Sequence, residues 1–473
     1  MDVHRKVPMG SLPTMASPNF APSTIWTGDN LPVLRGMNSA CVDLIYLDPP
    51  FNSNRNYEAP IGSKAAGAAF KDAWTLNDID VYEHGELAEI NPKVHSVIET
   101  AKQIHGKGMQ SYLIFMGIRL IELYRILKDT GSIYLHCDST ASHYLKLLMD
   151  AVFMSSSTYC EIIWKRTNTH NDARNTFPKV SDTIHFYAMS NTIFNPIYQD
   201  HSEDYIKKFY RFNDNDGRGP YRLGDMASPN PRPLMMYDWK GYPCPVKGWR
   251  YKAETMAELD REGRIYYPTF KNGSPDFSKR LCLKRYLSEQ KGTKIGNIWT
   301  DIKRIDNNNK ERTGYPTQKP LALLERIIKA SSKPGDLVLD PFCGCATSLV
   351  AAERLGRQWA GIDLSPLATR LVEERIRDDN PLWARLIALD KPPQRTDLGK
   401  LPHYRTHRHR LYGEQEGVCK GCGIHFPFKV MEVDHILPKS QGGTDHIDNL
   451  QLLCCACNRS KGGKTMAQWR ANS

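Results

Sequence analysis

An α/β fold built on a parallel sheet, followed by a small metal-stapled domain, is what the sequence predicts, and three observations predict it. Two short apolar strands, Val42–Leu47 and Leu337–Asp340, each stop at a proline-bearing turn, Asp48-Pro49-Pro50-Phe51 and Asp340-Pro341-Phe342. The second turn leads at once into a helical stretch and another strand, the spacing of a βαβ unit in a parallel sheet. Two Cys-x-x-Cys pairs then close the chain at Cys419/Cys422 and Cys454/Cys457.

Taken in order, residues 1–22 are polar, carry Pro and Ser, and are expected to form a mobile arm. Val42–Leu47 reads as a buried strand that ends at Asp48, because two prolines lack N–H groups and fix their backbone angles. Tyr112–Lys128 is apolar at helical spacing, with Gly131–His136 a strand behind it. Glu161–Trp164 and Asp182–Tyr187 read as further strands. Over residues 195–300 the periodicity fades while aromatics, Lys, Arg, Gly and Pro alternate, fitting either an irregular insertion or a small β-rich domain. Regular texture returns with a helix over Leu321–Ser331, the strand Leu337–Asp340, a helix over Thr347–Leu355 and a strand over Trp359–Asp363. A helix over Pro366–Arg377 follows, with proline at its start. Residues 379–410 contain Pro392-Pro393 and a basic stretch, and are expected to be a linker to a separate domain at 411–473.

With 40% hydrophobic and 24% charged residues the chain is expected to be globular, and its 473 residues can bury a sizeable core. The sequence contains neither an apolar run long enough to span a bilayer nor a secretory leader pattern, so a cytoplasmic protein with reduced thiols and no membrane partner is expected. The net charge of +11 fits a soluble basic enzyme or one with a polyanionic partner, and composition leaves both open. Five of the 12 cysteines crowd into the tail, at 419, 422, 454, 455 and 457, which scattered core cysteines do not explain.

The two strand-ending turns suggest chemistry. A carboxylate, exposed carbonyls and a ring at a strand's C-terminal edge suit an exocyclic amine on a flat base. The stretch Asp340 to Thr347 opens a helix whose free N–H groups favour an anionic ligand group, and Asp363 closes the next strand where ribose hydroxyls are held in nucleotide-binding folds. Ala346 stands where a glycine is expected, so the loop taken alone also fits an ordinary strand–helix turn.

Together with Gly28-Asp29-Asn30, Gly131 to Asp138, Gly296 to Asp301 and Tyr315-Pro316-Thr317-Gln318-Lys319-Pro320, these segments resemble the β-class DNA amino-methyltransferases across residues 23–378. The pattern is most similar to type III modification subunits and their solitary relatives. The resemblance implies a Rossmann-like sheet that uses S-adenosylmethionine and acts on double-stranded DNA, split as catalytic part 23–194, target-recognition region 195–300 and cofactor-binding part 301–378. Asp48, Pro49, Pro50 and Phe51 would be catalytic: the carboxylate and the Pro49 carbonyl accept the amine N–H groups, and Phe51 stacks a base flipped from the duplex. Asp29 would lie near the adenine of the cofactor and Asp363 on its ribose. Asp340, Phe342, Gly344 and Thr347 would form the cofactor loop, and Thr317 and Lys319 would lie near the methionine end, although Lys319 also fits a solvated helix-start lysine. Aspartate at position 48 favours adenine N6 in that family, with cytosine N4 still open. Trp239, Trp249, Arg250, Lys279, Arg280 and Arg285 are candidate DNA contacts.

In the tail, Cys419, Cys422, Cys454 and Cys457 have the spacing of a structural zinc site. With Val433-Asp434-His435-Ile436, Gly442-Gly443, Asp448-Asn449-Leu450 and Cys457-Asn458-Arg459-Ser460-Lys461 they resemble the HNH nucleases over residues 411–464. The resemblance implies a ββα-metal fold in which His435 is the general base, Asp434 and Asn458 ligate one divalent ion such as Mg²⁺, and Asn449 positions the His435 loop. Two functional expectations follow. One is an adenine methyltransferase fused to a nuclease, as in a single-chain restriction–modification enzyme of a prokaryote or mobile element. The other is a solitary methyltransferase whose zinc-bound tail only binds DNA. A homodimer and a partner gating the nuclease stay open.

Overall fold

The structure, a computed structural model, describes the chain except residues 1–16, 52–54, 59–68, 73–82, 85–86, 89, 155–156, 170–174, 307–308, 316, 380–385, 399–402 and 472–473. It divides into two compact units, residues 196–295 and the remainder.

The larger unit is built on a nine-stranded sheet. Its strands are β1 (Thr24–Thr27), β2 (Val42–Leu47), β5 (Leu127–Cys137), β6 (Ser157–Lys165), β7 (Ser181–Met189), β13 (Ile298–Trp299), β14 (Leu337–Asp340), β15 (Gln358–Asp363) and β16 (Ile387–Leu389). They run in the order β13-β6-β7-β5-β2-β14-β15-β1-β16, and β7 alone is antiparallel to its neighbours. A hairpin of β3 (Arg55–Glu58) and β4 (Ala69–Asp72) follows β2. Alternation along the central strands feeds two layers. Ile45, Leu47, Leu337 and Leu339 join the core formed with helices Asn30–Gly36, Pro92–His105, Lys107–Ile126 and Ser142–Phe153. Helices Leu321–Ser331 and Thr347–Arg354 pack on each other, and Thr347–Arg354 also packs on β14 and β15. Because β1, β2, β14 and β15 are parallel, the loops after Thr27, Leu47, Asp340 and Asp363 gather at one sheet edge.

Two expectations need correction. Within the arm expected at 1–22, residues 1–16 lie outside the described residues, but Ser17–Pro22 is tied down. The Asn19 amide donates to Gly36 O at 2.9 Å, Ser17 O accepts from Asn38, and Phe20 packs edge-on against Trp26. Residues 379–410 are not a plain linker either. Ile387–Leu389 pairs with β1 as an edge strand, and the following residues form a strap along the methyltransferase-like part. Thr396 and Asp397 bond to Asn38 and Ser39, and the Pro393 carbonyl lies so near Gly36 that no Cβ would fit there. Charge and proline composition mark such a segment as a linker; the docking depends on partners more than 350 residues away, which local pattern cannot reveal.

The C-terminal part has its own small core around Leu411, Cys419, Met431, Leu452 and Leu453. Strands β17 (Met431–His435) and β18 (Leu450–Cys454) pair antiparallel, and the helix Cys455–Lys461 follows. Its loop reaches the strap: a Cβ at Gly442 would lie 3.1 Å from Pro32 O and 3.3 Å from Pro392 Cβ.

The second unit holds β8 (Tyr198–Gln199), β9 (Tyr221–Asp225), β10 (Ile265–Tyr266), β11 (Cys282–Tyr286) and β12 (Thr293–Lys294). β10, β11 and β9 form a three-stranded sheet beside a core of Met226, Tyr242, Trp249, Met256 and Leu281. Trp249 is buried there and donates to Tyr237 O, so it is not placed as a surface contact, whereas Trp239 is half-buried and bonds to the Tyr267 hydroxyl. Lys279, Arg280 and Arg250 are exposed, although Arg250 also donates to Ala227 O, and Arg285 packs beside Gly224. Among the described residues no helix is long and apolar enough to cross a membrane.

Candidate functional site

The loops gathered at the sheet edge enclose a cleft of about 680 Å³ that brings together every residue expected for catalysis and cofactor binding in the N-terminal part. β2 delivers Asp48 to its wall. Asp48 Oδ2 accepts from Lys319 Nζ at 2.5 Å, while Oδ1 is buried with no hydrogen-bond partner. Such an unpaired acceptor is costly unless something arrives to donate to it. Lys319 is thus not a solvated lysine. It is buried, receives support from Thr317 O at 3.3 Å, and lies 5.2 Å from the Phe51 ring centroid. Thr317 holds this turn at φ +62°, a left-handed conformation that non-glycine residues rarely adopt.

Sequence reasoning missed the support behind Phe51. The Phe51 ring stacks on His136 at 6.0 Å between centroids. His136 is fully buried, sharing protons with Tyr46 OH through Nδ1 at 3.0 Å and with Asp182 through Nε2 at 3.2 Å, and Asp182 also takes Arg166 at 3.0 Å. Burial alone would raise the Asp182 carboxyl, but His136 and Arg166 hold it below its ordinary value. A polar His136 within an otherwise apolar strand was the one available signal; its partner on β7 is set by strand pairing.

On the cofactor side, Asp340 ends β14 and is fully enclosed. Burial raises its carboxyl to about 7, against the pull of the Ser348 hydroxyl and the Phe342 amide. Asp363 is also raised by burial, while its two oxygens accept the Gly344 and Ser365 amides at 2.8 Å each. Gly344 sits at φ +49° with the Tyr315 ring 3.1 Å from where a Cβ would be. Ala346 adopts φ +65° at the cap of helix Thr347–Arg354, so the position needs the left-handed backbone a glycine would supply and alanine adopts it at a cost. Thr347 is buried and bonds Arg375 at 3.1 Å. Asp29 caps its own helix through Leu31 N and pairs with Arg119 at 2.8 Å. Burial opposes ionisation, but Arg119 and the Leu31 amide hold its carboxyl below the usual range. Arg119 also bonds Asn30, which in turn donates to Pro341 O, joining the β1 and β14 loops. With Phe115, Phe342 and Leu364 as apolar walls, the cleft fits a purine nucleoside at one end and an amino-acid group at the amide-rich turn.

In the tail, the sulfur atoms of Cys419, Cys422, Cys454 and Cys457 lie within 4.8 Å of one another. Amides of Gly421 and Cys454 donate to the Cys419 sulfur at 3.3 and 3.2 Å; against the effect of burial, such amide contacts bring that thiol down to about 7. Four thiolates this close fit one tetrahedral zinc ion. Cys455 stands apart, donating to Val430 O.

A smaller pocket beside it is lined by Tyr404, Asp434, His435, Pro438, Lys439, Lys461 and Gly462. His435 Nε2 pairs with Asp445 at 2.8 Å, an unforeseen partner, and Tyr404 lies against its ring. Asn449 bonds Leu437 N and O and Thr444 O, tying the loop that follows His435. The residues expected at the ion also have protein partners: Asp434 accepts from the buried Lys461 ammonium at 3.0 Å and from Gln451 at 2.8 Å, and Asn458 donates to Glu432 at 2.6 Å.

A family model described as DNA methylase, of the N6/N4 methyltransferases, matches residues 42–374, and an HNH endonuclease model matches residues 419–464. The chain is 30% identical to the type II methyltransferase M.EcaI of Enterobacter cloacae, over 75% of this chain and 69% of that one. It is 26% identical to the Mod subunit of the type III restriction-modification enzyme StyLTI of Salmonella typhimurium, over 83% of this chain but only 61% of that subunit. Among solved structures, a putative DNA modification methylase of Thermus thermophilus complexed with S-adenosyl-L-methionine aligns over 78% of this chain and 98% of its own, with 16% identity and a TM-score of 0.37.

Proposed function

Since the chain belongs to the N6/N4 family of DNA methylases and carries a C-terminal HNH domain, we propose that it methylates adenine N6 in double-stranded DNA and cuts DNA through His435. The observation behind the first half is the Asp48 carboxylate on the cleft wall, held on one oxygen by Lys319 and with the other lacking any hydrogen-bond partner. Bound against Asp29, Asp363 and the Gly344 turn, S-adenosylmethionine would supply an electrophilic methyl group. The protein's part is orientation and charge. A flipped adenine stacks on Phe51, whose tilt is set by His136. Asp48 Oδ1 accepts an amine N–H, raising electron density on nitrogen, and takes the proton the amine sheds. Lys319 keeps the carboxylate in place. Aspartate at 48 supports adenine over cytosine.

For the tail, the His435 imidazole, fixed by Asp445, would take a proton from water, with Asn449 bracing the loop. A second reading, that the tail only binds DNA, is favoured by Asp434, whose charge Lys461 already neutralises. The protein would work in the cytoplasm, as a monomer or dimer.

The experiment uses one plasmid and three proteins: wild type, Asp48→Ala and His435→Ala. Methylation is located by sequencing, and cleavage is followed with Mg²⁺ or EDTA. The proposal expects N6-methyladenine from wild type and His435→Ala but not from Asp48→Ala, and cleavage lost only in His435→Ala. A mark on cytosine overturns the substrate. Absence of cutting by wild type on both unmodified and premethylated plasmid selects the DNA-binding tail.

A further inference from the structure

We propose that the protein holds a second transition-metal ion, apart from the four-cysteine cluster, between His84, His95 and Glu99, with Gln110 beside them. His95 and Glu99 lie one turn apart on helix Pro92–His105 and share a face. His84 comes from the short helical turn before that helix, and its imidazole stacks on that of His95 at 4.4 Å and 16°. One donor atom from each of the three side chains lies within 4.8 Å of the others.

The pairing of these groups is incomplete without an ion. His84 Nε2 is 3.1 Å from Glu99 Oε1, yet it is buried and makes no hydrogen bond. Gln110, 2% exposed on the neighbouring helix, donates Nε2 to the same Oε1 at 3.0 Å and leaves its own carbonyl oxygen buried without a partner. Two unpartnered buried polar atoms beside one carboxylate are an anomaly in a folded protein. Lys102 lies 3.5 Å from the other carboxylate oxygen, so it leaves Oε1 to the cluster. The ordinary alternative, a plain His84–Glu99 ion pair, leaves the Gln110 carbonyl oxygen buried without a partner.

The donor chemistry sets the ion class. Two imidazole nitrogens, one carboxylate oxygen and an amide oxygen suit Zn²⁺, Co²⁺ or Ni²⁺ and disfavour Mg²⁺ and Ca²⁺. The role would be structural. The ion would join the His84 turn to two helices, and the adjacent Glu83 lies 4.0 Å from Arg119, the guanidinium that holds Asp29 in the cofactor cleft.

The test is metal content of the full chain after equilibration with zinc and gel filtration, before and after a mercurial that displaces thiolate-bound zinc. About one mercurial-resistant zinc per chain is expected in wild type and is absent in His95→Ala and in the milder His84→Gln. Cobalt substitution reads the same site independently of stability: resistant Co²⁺ should show ligand-field bands without thiolate charge transfer. Wild type without resistant metal, or resistant metal unchanged in both variants, overturns the proposal, whatever the cysteine cluster holds.

Discussion

Replacing Lys319 with methionine strips Asp48 of the cation that holds it, and the cost follows from burial. The two side chains are 9% and 18% exposed and meet at 2.5 Å. Breaking a fully buried pair by removing one partner costs about 3–5 kcal/mol, most of it from the charge left behind. With Asp48 partly open to the cleft, about 2–3 kcal/mol is the expected loss. Asp48→Asn strands the ammonium instead and costs a similar amount. The double variant strands no charge, so it should recover most of the loss, giving a coupling of about 2 kcal/mol. Calorimetry of the full chain measures this in the transition that shifts with added S-adenosylmethionine. Each single variant should lower that transition by about 5 °C, and the double variant by clearly less than the sum. Single-variant effects that add to within about 0.5 kcal/mol would refute the reasoning, since the pair would then be no more than neighbours.

Gly344→Ala places a methyl against Tyr315 and forces φ +49° on alanine, so about 1–2 kcal/mol of local strain should weaken S-adenosylmethionine binding roughly tenfold by calorimetric titration. Asp340 binds a proton in the native state that the unfolded chain releases near its ordinary value, so across pH 4–7 its contribution to stability falls as pH rises and is gone above about 7. Asp340→Asn should flatten that part of the stability–pH curve, and an unchanged slope counts against the assignment. Cys422→Ser should remove the thiolate zinc and leave residues 411–470 open to limited proteolysis, because so small a core depends on its metal. Asn449→Ala deletes three bonds to the loop after His435 and should cut DNA cleavage at least tenfold while methylation is unaffected.

Much of the fold was legible where punctuation is local. Helix Leu321–Ser331 and strand Leu337–Asp340 have the bounds read from sequence, because a proline starts the one and a Gly-Asp turn precedes the other. Members of the cleft were legible because each turn carries its own marker. Their pairings were not. Lys319 reaches Asp48 across 271 residues, and Asp182 reaches His136 only because β7 runs against β5. In the tail, the HNH spacing marked Asp434, His435 and Asn458 as functional, but Lys461 was read only as part of the motif. That a buried ammonium occupies Asp434 depends on how the helix packs over the alternate face of β17.

The strap from Ile387 to Asp397, seated on Gly36 and met by Gly442, has a mechanical meaning. A flexible tether lets an attached nuclease sample many positions, and its cuts scatter over a range set by linker length. Here the loop that follows His435 rests on the helix that Asp29 begins, so the two parts share one frame. Any cleavage should then fall at a set distance from the methylated base, as marks on a ruler do.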